Sequence, residues 1–189
     1  MIKSLEIIHD EHRALAAMLS GLRTLMSGIE AGRLKPDFAL FGDMIRYIDE
    51  VPERLHHPKE NLYLFARLRE RCPEALPVIE LLEEDHRQGE ERVHALRSAL
   101  DEYQQGGAAA FEVFNTVLKK YLDHEWHHMN TEEQKVFPLA KAALTAEDWA
   151  EIDAAFLANE NPWQGRAGEY AALFSKIVNM APAPVGLGG

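Results

Sequence analysis

Apolar residues recur every three or four positions along most of this chain, and no segment shows the strict alternation typical of a half-buried strand. Such spacing collects apolar side chains on one face of an α-helix. A helix from about Ser4 to Ala31 illustrates the pattern, because it would align Ile8, His12 and Leu15 on its inward face. We therefore predict an all-α protein, with a histidine inside an otherwise apolar helix face.

Glycine and proline residues divide the periodic sequence into four long helices. The second helix is predicted to begin after Asp37, which is a suitable N-cap. It should kink at Pro52 and Pro58, because each proline removes a helical hydrogen bond. The third and fourth helices are predicted over about residues 79–103 and 109–143.

Four long helices joined by turns are typical of an antiparallel four-helix bundle, which we predict over residues 1–144. Two shorter helices should follow, one from Thr145 to Phe156 and one from Arg166 to Met180. We expect them to form a helical extension, residues 145–180, that packs on the bundle. The last segment, residues 181–189, is rich in proline and glycine and is predicted to be a flexible tail.

An internal repeat carries several of the histidines. Residues 10–13 read Asp-Glu-His-Arg, and residues 84–87, which lie 74 positions later, read Glu-Asp-His-Arg. The pattern His-x-x-x-Glu-x-x-x-[Leu/Val]-Phe begins at His56 and again at His128, 72 positions later. The second helical hairpin is therefore predicted to copy the first.

These histidines are expected to meet at one level of the bundle. A spacing of four residues places each histidine of the longer pattern on the same helix face as its glutamate. His12 and His56 are each about 20 residues from the first turn, which is about 30 Å of helix. His86 and His128 are at about the same distance from the second turn. Residues equally far from a turn lie at the same height in an antiparallel hairpin.

Imidazoles and carboxylates inside a bundle are costly to bury unless something neutralises their charge. A pair of metal ions would do so. Imidazole combined with carboxylate suits iron or manganese, and carboxylates from two helices can bridge two ions. The candidate donors are His12, His56, His86 and His128 with two or three carboxylates, among them Glu60 and Glu132 of the longer pattern.

Four segments together resemble the hemerythrin-like proteins, the family of the HHE cation-binding domain. The segments are DEHR at 10–13, HHPKE at 56–60, EDHR at 84–87 and HMNTEEQKVFP at 128–138. The resemblance extends over about residues 5–144. It implies a four-helix bundle with a non-haem di-iron centre that binds dioxygen or a related small ligand. It also implies that the six residues named above are the ligands, with Glu60 and Glu132 as bridging carboxylates.

Two departures from the oxygen-carrying members leave the full ligand set open. Those members have a second histidine on the third helix where this chain has Glu90, and an aspartate near the end of the site where this chain has Glu132. Glu90 or His124 could supply a seventh ligand. His9 and His57 are further candidates for an additional ligand or for a contact behind the ligands.

Composition limits the partners and the location that we expect. The net charge of −11 lacks the basic surface of a nucleic-acid-binding protein. No stretch approaches the roughly 20 apolar residues that cross a bilayer. The one cysteine, Cys72, cannot form an internal disulfide, and the sequence does not open with a secretory signal pattern, so we expect a cytoplasmic protein. The expected partner is a small molecule such as O2, and binding to another protein or to itself is left open.

Three classes of function fit these observations. The favoured class is a binding protein, in which a di-iron site takes up O2 or reports oxygen, iron or nitric oxide status. The second is an enzyme with the same centre, which reduces peroxide or supplies iron for the repair of iron-sulfur clusters. In the third class the protein has only a structural role, and the buried site holds either zinc or no metal. Manganese and zinc are the alternatives to iron.

Overall fold

Most of the residues that the computed structural model describes, which are 2–158, 167–183, 185 and 186, are helical. These residues form no β-strand, so the prediction of an all-α protein is confirmed. The helices are α1 (Lys3–Glu30), α2 (residues 38–71), α3 (Leu76–Gly106), α4 (residues 111–143), α5 (Ala146–Ala158) and α6 (Ala167–Met180). Arg166, where the last helix was predicted to start, lies outside the described residues.

Glycines with positive φ end the first and third helices. Gly32 follows α1 with a φ of 67°, and Gly107 follows α3 with a φ of 59°. Glycine adopts this backbone conformation at little cost, so the chain can reverse direction at both places. Asp37 then caps α2 as predicted, because its Oδ1 accepts a hydrogen bond of 2.9 Å from the Leu40 amide.

Helices α2 and α4 contain widened π-helical turns around the His-x-x-x-Glu patterns. In α2 these turns are Asp49–His56 and Glu60–Phe65, and in α4 the turn is Glu132–Val136. At Pro52, where a kink was predicted, helical structure continues through a wider turn, which accommodates the missing hydrogen-bond donor. Such turns are frequent at functional sites.

Two apolar clusters fill the interior and lie on either side of the predicted site histidines. The larger cluster includes Leu15, Phe41 and Phe114, and the smaller one includes Ile8 and Phe65. On each long helix the site histidine lies between a residue of one cluster and a residue of the other, as His12 does between Ile8 and Leu15. The polar side chains therefore occupy one layer between two apolar regions.

The long helices pack side by side around this layer. Helices α1 and α3 each contact both α2 and α4. Helix α5 packs on α1 and on the Glu60–Phe65 turn of α2, while α6 packs on Phe38–Ile48. No helix in the described residues is both long enough and apolar enough to span a membrane. The division of the chain at residues 144 and 180, and the mobility of residues 181–189, stay predictions.

Candidate metal centre

The four histidines predicted as ligands converge on the buried layer as two pairs. In the first histidine pair, His12 Nε2 lies 3.1 Å from His56 Nε2. In the second histidine pair, His86 Nε2 lies 3.1 Å from His128 Nε2. All four side chains are only 3 or 4% exposed. The structure therefore brings together the histidines that equal distance from the turns predicts to meet.

Glu60 and Glu132 lie between the two pairs, and both side chains are completely buried. Glu132 Oε2 is 3.2 Å from the Nε2 of His12 in the first pair, and its Oε1 is 3.4 Å from the Nε2 of His128 in the second. Glu60 Oε1 is 3.4 Å from an Nε2 of the first pair, and its Oε2 is 3.8 Å from an Nε2 of the second. Each carboxylate thus presents one oxygen to each pair.

This donor set fits two metal ions. The two histidine pairs form two groups, each with both glutamates, in which the ligand atoms lie within 4.8 Å of one another. We call these the metal-ligand groups. None of the four oxygens of Glu60 and Glu132 accepts a hydrogen bond from the described residues. Because buried polar atoms in proteins are nearly always hydrogen-bonded, such unpaired oxygens indicate a place for cations.

Burial and repulsion decide which carboxyl group of the metal-free protein is charged. Burial, followed by the neighbouring Glu132 carboxylate, raises the pKa of Glu60 well above its ordinary value. Burial also opposes ionisation of Glu132, but attraction to His128 and His12 lowers its pKa well below the ordinary value. Without metal the layer therefore holds a proton on Glu60, since two carboxylates this close cannot both be charged away from water.

The acidic residues of the short repeat support the histidines of the longer pattern. His56 Nδ1 lies 2.6 Å from Glu11 Oε2, and His128 Nδ1 lies 3.5 Å from Asp85 Oδ2. Glu11 and Asp85 each directly precede the histidine of their own repeat. Sequence reasoning missed both residues, although their recurrence 74 positions apart was a signal for a shared role.

The residues that follow the two glutamates support the remaining histidines. His12 Nδ1 lies 2.9 Å from Glu133 Oε1, and His86 Nδ1 lies 2.8 Å from Asn61 Oδ1. Metal-binding histidines in proteins almost always have an acceptor on their second ring nitrogen, which fixes the orientation of the ring. The repeat therefore extends beyond the ligands, because each hairpin supports the histidines of both hairpins from equivalent positions.

A buried lysine completes the support of His56. Lys59 is 6% exposed, and its Nζ lies 2.8 Å from Glu11 Oε1 and 5.3 Å from the centre of the Phe156 ring on α5. Burial opposes ionisation of Glu11, but its contacts with His56 and Lys59 lower the pKa of Glu11 to about 2. The carboxylate facing His56 is therefore charged at neutral pH.

A small cavity adjoins the first histidine pair. Its volume is about 10 Å³, which is room for about one water-sized molecule. Its walls are formed by Glu11, His12, Leu15, Tyr47, Val51, Pro52 and His56. Burial, and then the charge of Glu11, raise the pKa of Tyr47 to about 12. The Tyr47 phenol is therefore protonated at neutral pH and able to donate a hydrogen bond.

The four additional candidates from the sequence occupy different environments. Glu90 is exposed and, within the described residues, belongs to no metal-ligand group. His124 and His9 are also outside these groups, with side-chain exposures of 26% and 40%. His57 is buried and forms a third group with the second histidine pair.

Comparison with known families agrees with this geometry. The family model described as the hemerythrin HHE cation binding domain matches residues 3–140, a range that includes every member of the metal-ligand groups. Comparisons with curated proteins and with solved structures found no match. The family match covers most of the chain, and the buried histidines and glutamates supply the donors that cation binding requires. The chain therefore belongs to the hemerythrin HHE cation-binding family and is a metal-binding protein.

Proposed function

We propose that this protein holds two iron ions in the buried layer and uses them to bind dioxygen or a related small ligand such as nitric oxide. In this proposal each histidine pair holds one ion, and both glutamates bridge the two ions. The ligands are His12, His56, Glu60, His86, His128 and Glu132. When bound, iron supplies a redox-active centre with positions at which a small ligand can exchange.

The observation that carries the proposal is the sharing of Glu60 and Glu132 between the two histidine pairs. Each carboxylate turns one oxygen toward each pair, and no donor in the described residues satisfies these oxygens. Two ions bridged by both carboxylates would use all four oxygens. Structural zinc sites are usually closed, four-coordinate and rich in cysteine. The mixture of imidazole and shared carboxylate therefore favours iron or manganese.

The size of the cavity beside the first histidine pair supports the proposal that the ligand is a small molecule. Leu15, Val51 and Pro52 give it apolar walls, and its volume of about 10 Å³, room for about one water, is too small for a larger substrate. Tyr47 is a wall residue with a protonated phenol. It could donate a hydrogen bond to a polar ligand in the cavity.

The proposal is tested by metal analysis of protein made in iron-replete cells, followed by optical spectra during cycles of dithionite reduction and exposure to air. We expect two irons per chain and a reversible spectral change when O2 or nitric oxide is added to the reduced protein. One ion or none in iron-loaded protein would contradict the dinuclear site. Turnover of peroxide without a reversible ligand complex would favour a redox enzyme instead.

His12, and not His9, is expected to be the ligand on α1. The His12 ring is buried next to Glu132 and His56, whereas the His9 ring is 40% exposed. His12→Ala should lower the iron content and change the optical spectrum, while His9→Ala should leave both nearly unchanged. If His9→Ala removes the iron and His12→Ala does not, the assignment of ligands on α1 is wrong.

Metal uptake is expected to release a proton from Glu60. Its pKa is raised in the metal-free protein, and coordination requires the charged carboxylate, so protons compete with the metal below that pKa. Affinity for Co2+ should therefore fall as the pH is lowered. Calorimetric titration in two buffers with different ionisation enthalpies counts the released protons. Glu60→Gln should release one proton fewer than the wild type when its first ion binds, and equal release at that step would rule out Glu60 as the source.

A further inference from the structure

The two copies of the repeat differ at the position that follows the histidine of the longer pattern. His57 follows His56 in the first copy, whereas Met129 follows His128 in the second. We propose that His57 is a third imidazole ligand of the ion held by His86 and His128, so that the two ions have unequal ligand sets. This inference rests on the proposed function and identifies the residue that completes the second site.

His57 lies directly against the second histidine pair. Its side chain is 6% exposed. Its ring stacks on that of His86, with centroids 4.1 Å apart and an angle of 10° between the planes, and its centroid is 5.2 Å from that of His128. One nitrogen from each of the three rings lies within 4.8 Å of the others. Two nitrogens bound to one ion at about 2.1 Å each can be up to about 4 Å apart, so on metal binding the His57 ring would have to move closer and turn out of its parallel stack on His86.

Helix α2 can supply ligands to both ions because it lies between α1 and α3. Consecutive residues on a helix point about 100° apart. His56 therefore faces His12 on α1, while His57 faces His86 on α3. Two adjacent histidines can thus serve two different metal positions.

His57 Nδ1, like Nδ1 of the other four site histidines, lies near a polar side chain that can hold the ring in place. His57 Nδ1 lies 3.2 Å from Glu53 Oε2, one turn earlier on α2, and the Glu53 side chain is only 5% exposed. In the described part of the chain, five histidines combine a buried ring, an acceptor near Nδ1 and membership of a ligand group. His57 is the fifth. This combination is typical of metal-binding histidines rather than of histidines that only fill a core.

A glycine on α3 makes room for Glu53. A Cβ atom at Gly89 would overlap Glu53 Oε2, so any side chain there would displace the carboxylate that supports His57. The equivalent position in the first copy, 74 residues earlier, is Leu15, which lines the small cavity. The two copies therefore differ at two related positions. Where His57 is present, the residue on the neighbouring helix is the small Gly89, and at the equivalent positions the chain has Met129 and Leu15.

The ligand count can be tested by proton NMR of the protein loaded with high-spin Co2+. A coordinated imidazole keeps one N–H on its other nitrogen, and the paramagnetic ion shifts this exchangeable signal far from the others. We expect five such signals in the wild-type protein and four or fewer in His57→Leu. His127→Leu is the matched control, because His127 is exposed and adjoins His128 as His57 adjoins His56. It should retain all five signals.

The possible outcomes separate this inference from the proposed function. Four signals in wild-type protein that binds two Co2+ ions would overturn the assignment of His57 alone, as would five signals in His57→Leu. Wild-type protein that binds fewer than two ions would contradict the dinuclear site itself. The wild-type count needs no variant, so a count of four overturns the assignment even if His57→Leu fails to fold.

Discussion

Replacement of either glutamate shared by the two histidine pairs is expected to reduce the metal content from two ions per chain to one or none. Glu60→Ala and Glu132→Ala each remove an oxygen from both metal positions, because each carboxylate faces both pairs. The remaining carboxylate offsets too little of the charge of two close cations. Iron analysis and the optical spectrum of the oxidised protein measure the effect.

The matched control for these variants is Glu90→Ala. Glu90 is on α3 one turn after His86 and is exposed, so its removal should leave two irons in place. The metal-free form of Glu132→Ala should unfold at a lower temperature than the metal-free wild type, because His12 and His128 lose their buried partner. Glu60→Ala should cost less, because Glu60 accepts no hydrogen bond and its charged form is disfavoured by burial. Two irons with an unchanged spectrum in either variant would remove its bridging assignment.

Replacement of Lys59 by methionine is expected to lower the free energy of unfolding substantially. The change leaves the buried Glu11 carboxylate without its ammonium partner. Breaking a buried ion pair from one side costs about 3 kcal/mol, which corresponds to a fall in Tm of about 10 °C for a chain of this size. Urea unfolding of the metal-free protein measures it. Lys141→Met, at an exposed position on α4, is the control.

The pH dependence of this loss has a definite sign. The pKa of Glu11 is lowered from 4.5 to about 2 in the folded protein, so its ion pairs contribute stability above pH 4.5 and lose it as the pH falls toward about 2. The difference between wild type and Lys59→Met should therefore be full at neutral pH and shrink over that acidic range. A difference that stays constant down to about pH 2 would show that lost packing, rather than charge, explains the effect.

The layer of histidines could be predicted from the sequence because it depends on two regular features. Helical spacing places His12 on the inward face of α1, and the duplication sets the histidines of each hairpin at matching distances from its turn. Both features depend on the 1.5 Å rise of a helix, which tertiary contacts hardly alter. Glu60 and Glu132 share a helix face with His56 and His128 for the same reason, because each lies four residues after its histidine.

The residues that support this layer could not be predicted in the same way. Lysine is almost never fully buried unless it is paired, and the partner of Lys59 is Glu11, 48 residues away. His57 faces a different helix from His56, a fact that depends on how α2 packs between its neighbours. The fit of Glu53 against Gly89 depends on the contact between α2 and α3. Such contacts arise from packing between helices, which the spacing within one helix does not encode.

The joining of both hairpins in one chain has a consequence for how the site can be specialised. Two separate copies of a single hairpin, related by a twofold axis, would have to build two identical ends, because every substitution would appear twice. Joining the two hairpins in one chain removes this constraint. Leu15 of the first hairpin corresponds to Gly89 of the second, and His57 corresponds to Met129. One end can then anchor its ion with an extra imidazole while the other adjoins a cavity of one water's size. Under the proposed function, anchoring of one ion and exchange of a small ligand would then be divided between the two ends of the site.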